Sequence, residues 1–308
     1  MCSFCNQHTI SGSQSVPHAF DVMQACEKAV ASGVDIHETE IAFFGGSFTA
    51  IERSYMLELL QAAKPYVDTG FKGIRISTRP DCINDEVLSL LKDYGVTTVE
   101  LGAQSMDDSV LSLNDRGHTK DDVVTASRLV KRYGFTLGLQ MMVGLYGSTP
   151  QLDIKSAEEI IALAPSEVRI YPVVILDKTK LGDLYKSGIY KPYSLEKATQ
   201  ICAQLLDMFE HKGIRVIKLG LHASEIVEAD MLGGLYHPAL RELCEAERFK
   251  KLMSELIGDD KRVTFTVKPS DLSKALGQKR SNIGYFRSLG IDVQIKTDIN
   301  QTEKLVKI

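Results

Sequence analysis

Apolar, β-branched runs recur along the chain at a regular interval, at residues 41–44, 73–77, 97–101, 136–143, 168–176 and 215–219. Between them lie stretches whose apolar positions return every three to four residues, at 20–32, 54–66, 85–94, 120–133, 154–163 and 195–212. Nearly all-apolar strands separated by amphipathic helices predict parallel βαβ units, because strands covered on both faces have no solvent side to leave polar. Gly95, Gly134 and Gly213 follow the last helical residues, where a left-handed residue closes a helix. The pattern predicts an α/β fold, a β/α barrel or part of one, and excludes a sandwich or a bundle.

The length supports that reading. A chain of 308 residues, 44% hydrophobic and 25% charged, can bury one large core and a small second one. The boundaries expected are a partial barrel over 1–225, a helical connection over 226–258 and a small β-α-β domain over 259–308. Net charge is −4, but residues 247–308 hold 13 Lys/Arg against 8 Asp/Glu, a local +5 that leaves −9 for the first 246 residues. That asymmetry suits either an anionic partner for the tail or a solvated charged face. No apolar run approaches the roughly 18 residues of a membrane span, and no secretory leader or disulfide framework is legible. A cytoplasmic protein with no membrane partner is expected.

In a barrel, chemistry belongs at the C-terminal ends of the strands. Those ends read Gly45-Gly46-Ser47-Phe48-Thr49, Ser77-Thr78-Arg79-Pro80-Asp81, Gly102-Ala103-Gln104-Ser105, Gly144-Leu145-Tyr146-Gly147 and Tyr171-Pro172. Glycines there let a ligand meet bare backbone, and Ser47, Ser77, Arg79 and Gln104 would turn donors and acceptors into the mouth. The chain opens on Met1-Cys2-Ser3-Phe4-Cys5-Asn6-Gln7. A Cys-x-x-Cys with an aromatic inside it serves iron–sulfur, zinc or thiol redox chemistry, and spacing alone leaves these open. Cys26, Cys82, Cys202 and Cys244 are scattered through apolar patterns and read as small buried hydrophobes.

Taken together, these segments resemble the radical S-adenosylmethionine superfamily, and within it the Elongator catalytic subunits and the oxygen-independent coproporphyrinogen oxidases. The resemblance rests on Phe44 to Thr49, on Ser77 to Asp81, and on Val99-Glu100-Leu101-Gly102-Ala103-Gln104-Ser105 followed by Asn114-Asp115-Arg116-Gly117-His118. Arg169-Ile170-Tyr171-Pro172-Val173 and Tyr236-His237-Pro238-Ala239 extend it, so that it spans about residues 2–250. It implies a partial (β/α)6 TIM-like barrel and two cofactors, a 4Fe-4S cluster and S-adenosyl-L-methionine. Three cysteinates leave one iron open to the amine and carboxylate of the sulfonium, and reduction then releases a hydrogen-abstracting 5′-deoxyadenosyl radical.

By this resemblance Cys2 and Cys5 are the last two ligands of a Cys-x3-Cys-x2-Cys loop, with Phe4 near the adenine. Gly45, Gly46 and Ser47 would receive the methionine amine, and Ser77 and Gln104 the ribose or amino-acid end. Arg116 would pair with the carboxylate, a role its planar fork suits; as ordinary surface chemistry it would cap a helix or pair with Asp115 or Asp121. Met142 to Leu145, Val143 included, and Tyr171 to Val173 would flank the adenine. His118 reads as a capping side chain or a cofactor contact, His237 as a loop-setting residue, and Met141 and Met142 as core. The pattern's first cysteine belongs four residues before Cys2, after a first barrel strand. Both are missing from the sequence, so impaired radical chemistry and an exposed strand edge are expected of the chain as written.

The tail carries a second resemblance. A strand at 263–267, a helix-turn-helix stretch at 269–289 and a strand at 291–295 resemble the core of a KH RNA-binding module, whose Gly-x-x-Gly turn clamps a nucleic-acid backbone. Arg280 stands where the second glycine belongs, and a plain β-α-β appendage is the alternative. Lys274, Lys279, Arg280 and Arg287 are the residues expected to meet RNA. The expected function is radical chemistry on tRNA, served by a reductant protein such as flavodoxin or ferredoxin; residues 240–308 hold no pattern for an acetyltransferase domain. Radical chemistry on a small molecule, and RNA binding by a degenerate barrel, are the alternatives.

Overall fold

The computed structural model describes residues 2–6, 9–10, 16–221 and 225–308; Met1 and Gln7 of the opening stretch lie outside them. Strands β1 (Glu40–Phe43), β2 (Gly73–Thr78), β3 (Val96–Gln104), β4 (Thr136–Val143) and β5 (Glu167–Pro172) pair in parallel and in chain order. After β6 (Val174–Leu176) leaves the sheet, β7 (Arg215–Leu219) joins β5 and completes six strands curled into a half-barrel.

Helices α1 (Ala19–Ala31), α2 (Arg53–Asp68), α3 (Asp85–Asp93), α4 (Asp108–Leu113), α5 (Lys120–Arg132) and α6 (Pro150–Ala162) alternate with these strands. The chain continues through α7 (Lys180–Lys186) and α8 (Leu195–His211). Local chemistry explains several starts. Asn84 accepts from Val87 N at 2.8 Å, Thr119 and Asp122 form a capping box, and Thr149 caps α6 with Pro150 in its first turn. That Thr-Pro start lies four residues ahead of the periodic pattern at 154, which is why α6 is longer than periodicity suggests.

The strands are not apolar on both faces. Ile74, Ile76, Val99, Leu101, Leu139 and Ile170 are buried in a core shared with the helices. The alternate positions Arg75, Glu100, Gln140 and Arg169 face the concave side, where they bond one another across four strands. A half-barrel therefore reads apolar only towards its helices.

The run 168–176 is two strands, not one. Pro172 closes β5, and Val174–Leu176 turns away to pair antiparallel with β8 (Met231–Gly234), which follows α9 (Glu225–Asp230). Proline brings no N–H to a ladder, so the chain is free to leave the sheet there.

Helix α10 (Leu240–Ile257) belongs to two cores. Leu240 and Cys244 pack in the barrel core, while Phe249, Met253 and Ile257 pack with Phe265, Phe286 and Val293 of the C-terminal unit. In that unit β9 (Arg262–Val267) and β10 (Asp292–Thr297) are parallel, joined by α11 (Leu272–Leu276) and α12 (Ser281–Ser288). β11 (Val306–Lys307) adds antiparallel to β9. No helix among the described residues is long and apolar enough to cross a membrane.

Candidate functional site

The cysteine loop is seated among the C-terminal strand ends by its smallest polar residue. Ser3, 2% exposed, donates from N to Asn114 O (3.1 Å) and from Oγ to Asn114 Oδ1 (2.9 Å), and its carbonyl accepts from Leu181 N at 2.8 Å. Asn114 is fully buried and gives its amide to Val110 O and Tyr146 O, both at 2.8 Å. The loop is thus tied at once to the turn after α4, to the loop after β4 and to the start of α7. Cys5 N donates to Cys2 O at 3.2 Å, which folds both half-buried thiols into one turn. Phe4 packs against the cluster of Leu145, Val173 and Tyr190, beside Met142.

Arg116 reaches the same loop from the turn after α4. Left-handed backbone at Asp115 (φ 52°) and Gly117 (φ 69°) aims it inward, and it is 5% exposed. Its Nη2 donates to Gly102 O at 2.6 Å and its Nη1 to Cys2 Sγ at 3.0 Å. Neither Asp115, which pairs with Lys180 at 2.7 Å, nor Asp121 takes it. Its Nε is buried with no partner among the described residues. His118, also buried, donates from Nε2 to Ala103 O at 3.2 Å and leaves Nδ1 without a described partner. Burial and then the neighbouring Arg116 charge hold its imidazole below the ordinary pKa, which favours the neutral ring.

Gly45 and Gly46 follow β1 at φ 106° and 98°, and a Cβ on either would meet nothing within 4 Å. Both present bare backbone to open space in a conformation few other residues adopt. Ser47 Oγ accepts from Arg79 N at 2.9 Å, so the hydroxyl proton remains available to donate. Arg79 forks onto Asp81, which together with the Arg79–Ser47 bond locks the loop after β2 to the loop after β1. Gln104 ends β3 at φ 66°, after a register shift against β4, and folds its amide over Gly102. That strained exit is a feature concentrated at functional sites.

Ser77 and Tyr171 face inward but lower. Ser77 Oγ accepts from Gln140 Nε2 at 3.0 Å, and burial raises the Tyr171 phenol above its ordinary pKa beside Arg169. Val143 departs from the expectation: its side chain is 0% exposed in the helix-covered core, and its carbonyl accepts from Val173 N at 3.0 Å. Strand alternation turns Met142, not Val143, towards the mouth. Met141 is core, as are Cys26, Cys202 and Cys244, whereas Cys82 is half-buried in the loop after β2. His237 Nδ1 accepts from Ala239 N at 3.1 Å and sets its own loop.

Beneath the mouth lies an ionic floor that sequence reasoning missed. Arg75 donates to Glu40 (2.6 and 2.9 Å), to Glu100 (2.7 Å) and to Glu167. Arg169 forks onto Glu100 at 2.6 and 2.9 Å, and Arg215 reaches Glu167 at 2.7 Å. The exposed Phe44 ring lies 4.8 Å from the Arg169 guanidinium, which joins the end of β1 to the far strand β5. The available signal was a charged residue inside the runs at 73–77, 97–101, 168–176 and 215–219. At the mouth's other side Asp153, 3% exposed, accepts from Gly144 N, Ser148 Oγ and Tyr193 Oη (3.0, 2.6 and 3.1 Å).

In the C-terminal unit, Lys279 (φ 51°) and Arg280 (φ 62°) both stand in left-handed backbone on the turn between α11 and α12. Both are exposed, as is Arg287, while Lys274 pairs with Asp271 at 2.7 Å. The Asn282 amide behind the turn bonds Ala246 O and Ala275 O at 2.9 and 3.0 Å.

Residues 1–159 match the radical SAM superfamily. The chain belongs to that superfamily. Residues 165–250 match the radical SAM C-terminal domain. A tRNA uridine(34) acetyltransferase of Methanocaldococcus jannaschii is 30% identical over 190 residues, 55% of this chain and 35% of that protein. Elongator complex protein 3 of Homo sapiens is 30% identical over 241 residues, 71% of this chain and 43% of that protein. The solved structure of Methanocaldococcus infernus Elp3 with an N-terminal deletion superposes at a TM-score of 0.65 and 25% identity, covering 77% of this chain and 59% of that one. The chain spans about a quarter to a half of the length of the curated relatives it matches.

The residues present suit the groups a radical SAM protein implies. Two thiols on one turn, a buried guanidinium with a spare donor, and bare glycine backbone at the same end of the barrel are donor types that suit an iron–sulfur cluster and a zwitterionic sulfonium, with two of the pattern's three cysteines present. Among the described residues no group of three or more His, Cys, Asp or Glu is gathered at metal-binding range.

Proposed function

We propose that this chain is a tRNA-modifying radical SAM enzyme in which Cys2 and Cys5 ligate a 4Fe-4S cluster and the glycine-lined mouth receives S-adenosylmethionine. The observation that carries this is the seating of the Cys2–Cys5 turn, through Ser3 on Asn114 and Arg116 on Cys2, at the strand-exit end where Gly45 and Gly46 leave open backbone. When bound and reduced, the two cofactors supply a hydrogen-abstracting 5′-deoxyadenosyl radical. The chain's own residues bind and orient. Gly45 and Gly46 offer carbonyls to the amine, Ser47 a hydroxyl, Gln104 an amide to the ribose or amino-acid end, and Phe4 and Tyr171 apolar faces to the adenine. The ionic floor closes the mouth from below. The electron comes from an external one-electron donor protein of the flavodoxin or ferredoxin kind.

For the substrate, the named relatives support tRNA, and the C-terminal unit supplies Lys279 and Arg280 on an exposed turn whose charge suits a phosphate backbone. The test is anaerobic reconstitution followed by assay for 5′-deoxyadenosine with dithionite as reductant. Turnover by the chain as written is expected to be weak, with two of the pattern's three cysteines present, and to be lost on Cys2→Ala or Cys5→Ala, with a raised KM for S-adenosylmethionine on Gln104→Ala. Product that persists in both cysteine variants refutes the assignment. Binding of tRNA should fall with salt and weaken on Lys279→Ala/Arg280→Ala, and salt-independent binding would remove the RNA reading.

A further inference from the structure

Arg116 is a buried cation that no carboxylate pairs with among the described residues. A charged side chain at 5% exposure is rarely left so, because desolvating it is costly unless an anion or polar partners compensate. Its partners are a carbonyl, Gly102 O, and a sulfur, Cys2 Sγ, at 2.6 and 3.0 Å. Each terminal nitrogen thereby gives one of its two N–H groups, and Nε adds a donor with no described partner. The fork is also held in place. A Cβ at Gly102 would lie 3.3 Å from Nη2 and 2.9 Å from Gln104 Nε2, so a larger residue there would crowd the guanidinium and push the Gln104 amide aside. Asp115, the nearest carboxylate in sequence, is drawn off by Lys180 at 2.7 Å.

We infer that Arg116 is a positioning residue that tunes the reduction potential of a cluster held by Cys2, through a charge-assisted N–H···S bond. The inference rests on the reading of Cys2 and Cys5 as cluster ligands. Reduction by the external donor adds one electron to the cluster and no bond to Arg116 forms or breaks. The added negative charge is shared by the ligand sulfurs, so a fixed guanidinium donor favours the reduced state over the oxidised one, and hydrogen bonds to sulfur are an established lever on such potentials.

The experiment is an anaerobic redox titration, followed by electron paramagnetic resonance, of the reconstituted wild type and of Arg116→Met and Arg116→Gln. Gln keeps an N–H for Gly102 O without the charge, so it decides the matter if Met fails to fold by circular dichroism. The neutral variants should hold about tenfold less reduced cluster at a fixed potential, a shift of about 59 mV to more negative values for a one-electron couple. Gly102→Ala, which crowds the guanidinium with Arg116 intact, should shift in the same direction by a smaller amount. An unchanged potential in a folded, cluster-loaded neutral variant overturns the inference. A wild type that takes up no iron and sulfide instead overturns the ligand reading beneath it, and the inference falls with that.

Discussion

Replacing Arg75 with methionine removes one charge from a floor that holds three carboxylates, Glu40, Glu100 and Glu167, against three guanidiniums, Arg75, Arg169 and Arg215. Glu100 keeps Arg169 and Gln140, and Glu40 keeps the hydroxyls of Thr97 and Thr98. Glu167, 0% exposed, keeps only Arg215, which is itself 71% exposed and a weak partner. One buried carboxylate is left uncompensated, a loss on the order of 3–5 kcal/mol near neutral pH. The size of that loss depends on pH. Burial alone would raise the Glu167 pKa, but the hydrogen bonds from Arg75 and Arg215 outweigh it and hold the pKa below the ordinary value. In the wild type this carboxylate therefore adds stability that is present above its unfolded pKa and fades as pH falls through the lower folded one. In Arg75→Met the burial contribution dominates, the folded pKa rises above the unfolded one, and the variant gains stability as pH falls. Urea unfolding followed by far-UV circular dichroism suits a chain with no tryptophan. The gap between the two proteins should shrink by about 1–2 kcal/mol between about pH 7.5 and pH 5, at 1.4 kcal/mol per unit of pKa. A gap below about 1 kcal/mol, or one that is flat with pH, would refute the argument that the floor is a charge-balanced buried network.

Asp153 gives the opposite pH signature in the wild type. Burial pushes its carboxyl up to about 6 against its three hydrogen bonds, so the folded state binds the extra proton and Asp153's contribution to stability falls as pH rises from about 4 to 6. Unfolding curves of Asp153→Asn should lack that component, worth on the order of 2–3 kcal/mol; an identical pH profile in the variant contradicts it. Asn114→Ala takes the side-chain donor from Tyr146 O and the Ser3 Oγ bond from the loop, while the backbone bonds Asn114 N–Val110 O and Ser3 N–Asn114 O remain, with an expected cost of about 1–3 kcal/mol and faster labelling of Cys2 and Cys5 by a thiol reagent. Unchanged labelling would mean that Ser3 does not seat the loop. At Gly73 (φ 146°) a methyl would sit 2.3 Å from Thr97 Cγ2, so Gly73→Ala should lose about 2–3 kcal/mol by denaturant titration, and Thr97→Ala should restore part of it. Strict additivity of the two substitutions would show that the clash is not the cause.

The order and type of the main elements were legible along the chain because they are local. Helix periodicity, the caps at Asn84, Thr119 and Thr149, and the apolar face of each strand all lie within a few residues of the structure they specify. The glycine-rich strand exits and the paired cysteines were legible for the same reason. Short elements without a long periodic stretch, such as α4, α7 and β8, were not.

What the sequence alone determined was therefore a half-barrel of alternating strands and helices with its chemistry at one end. Only the tertiary structure decided which charges meet. Arg75 and Glu167 lie 92 positions apart, and Arg116 and Cys2 lie 114 apart. Their pairing depends on strand register and on the curl of the sheet, which bring side chains from four strands to one concave surface. Register also decides sides. A shift of one residue exchanges the inner and outer faces of a strand, which is why Val143 belongs to the core while its neighbour Met142 turns towards the mouth. Arg116 follows the same logic: its type suggested a carboxylate, but its surroundings give it a sulfur and a carbonyl, and surroundings are non-local.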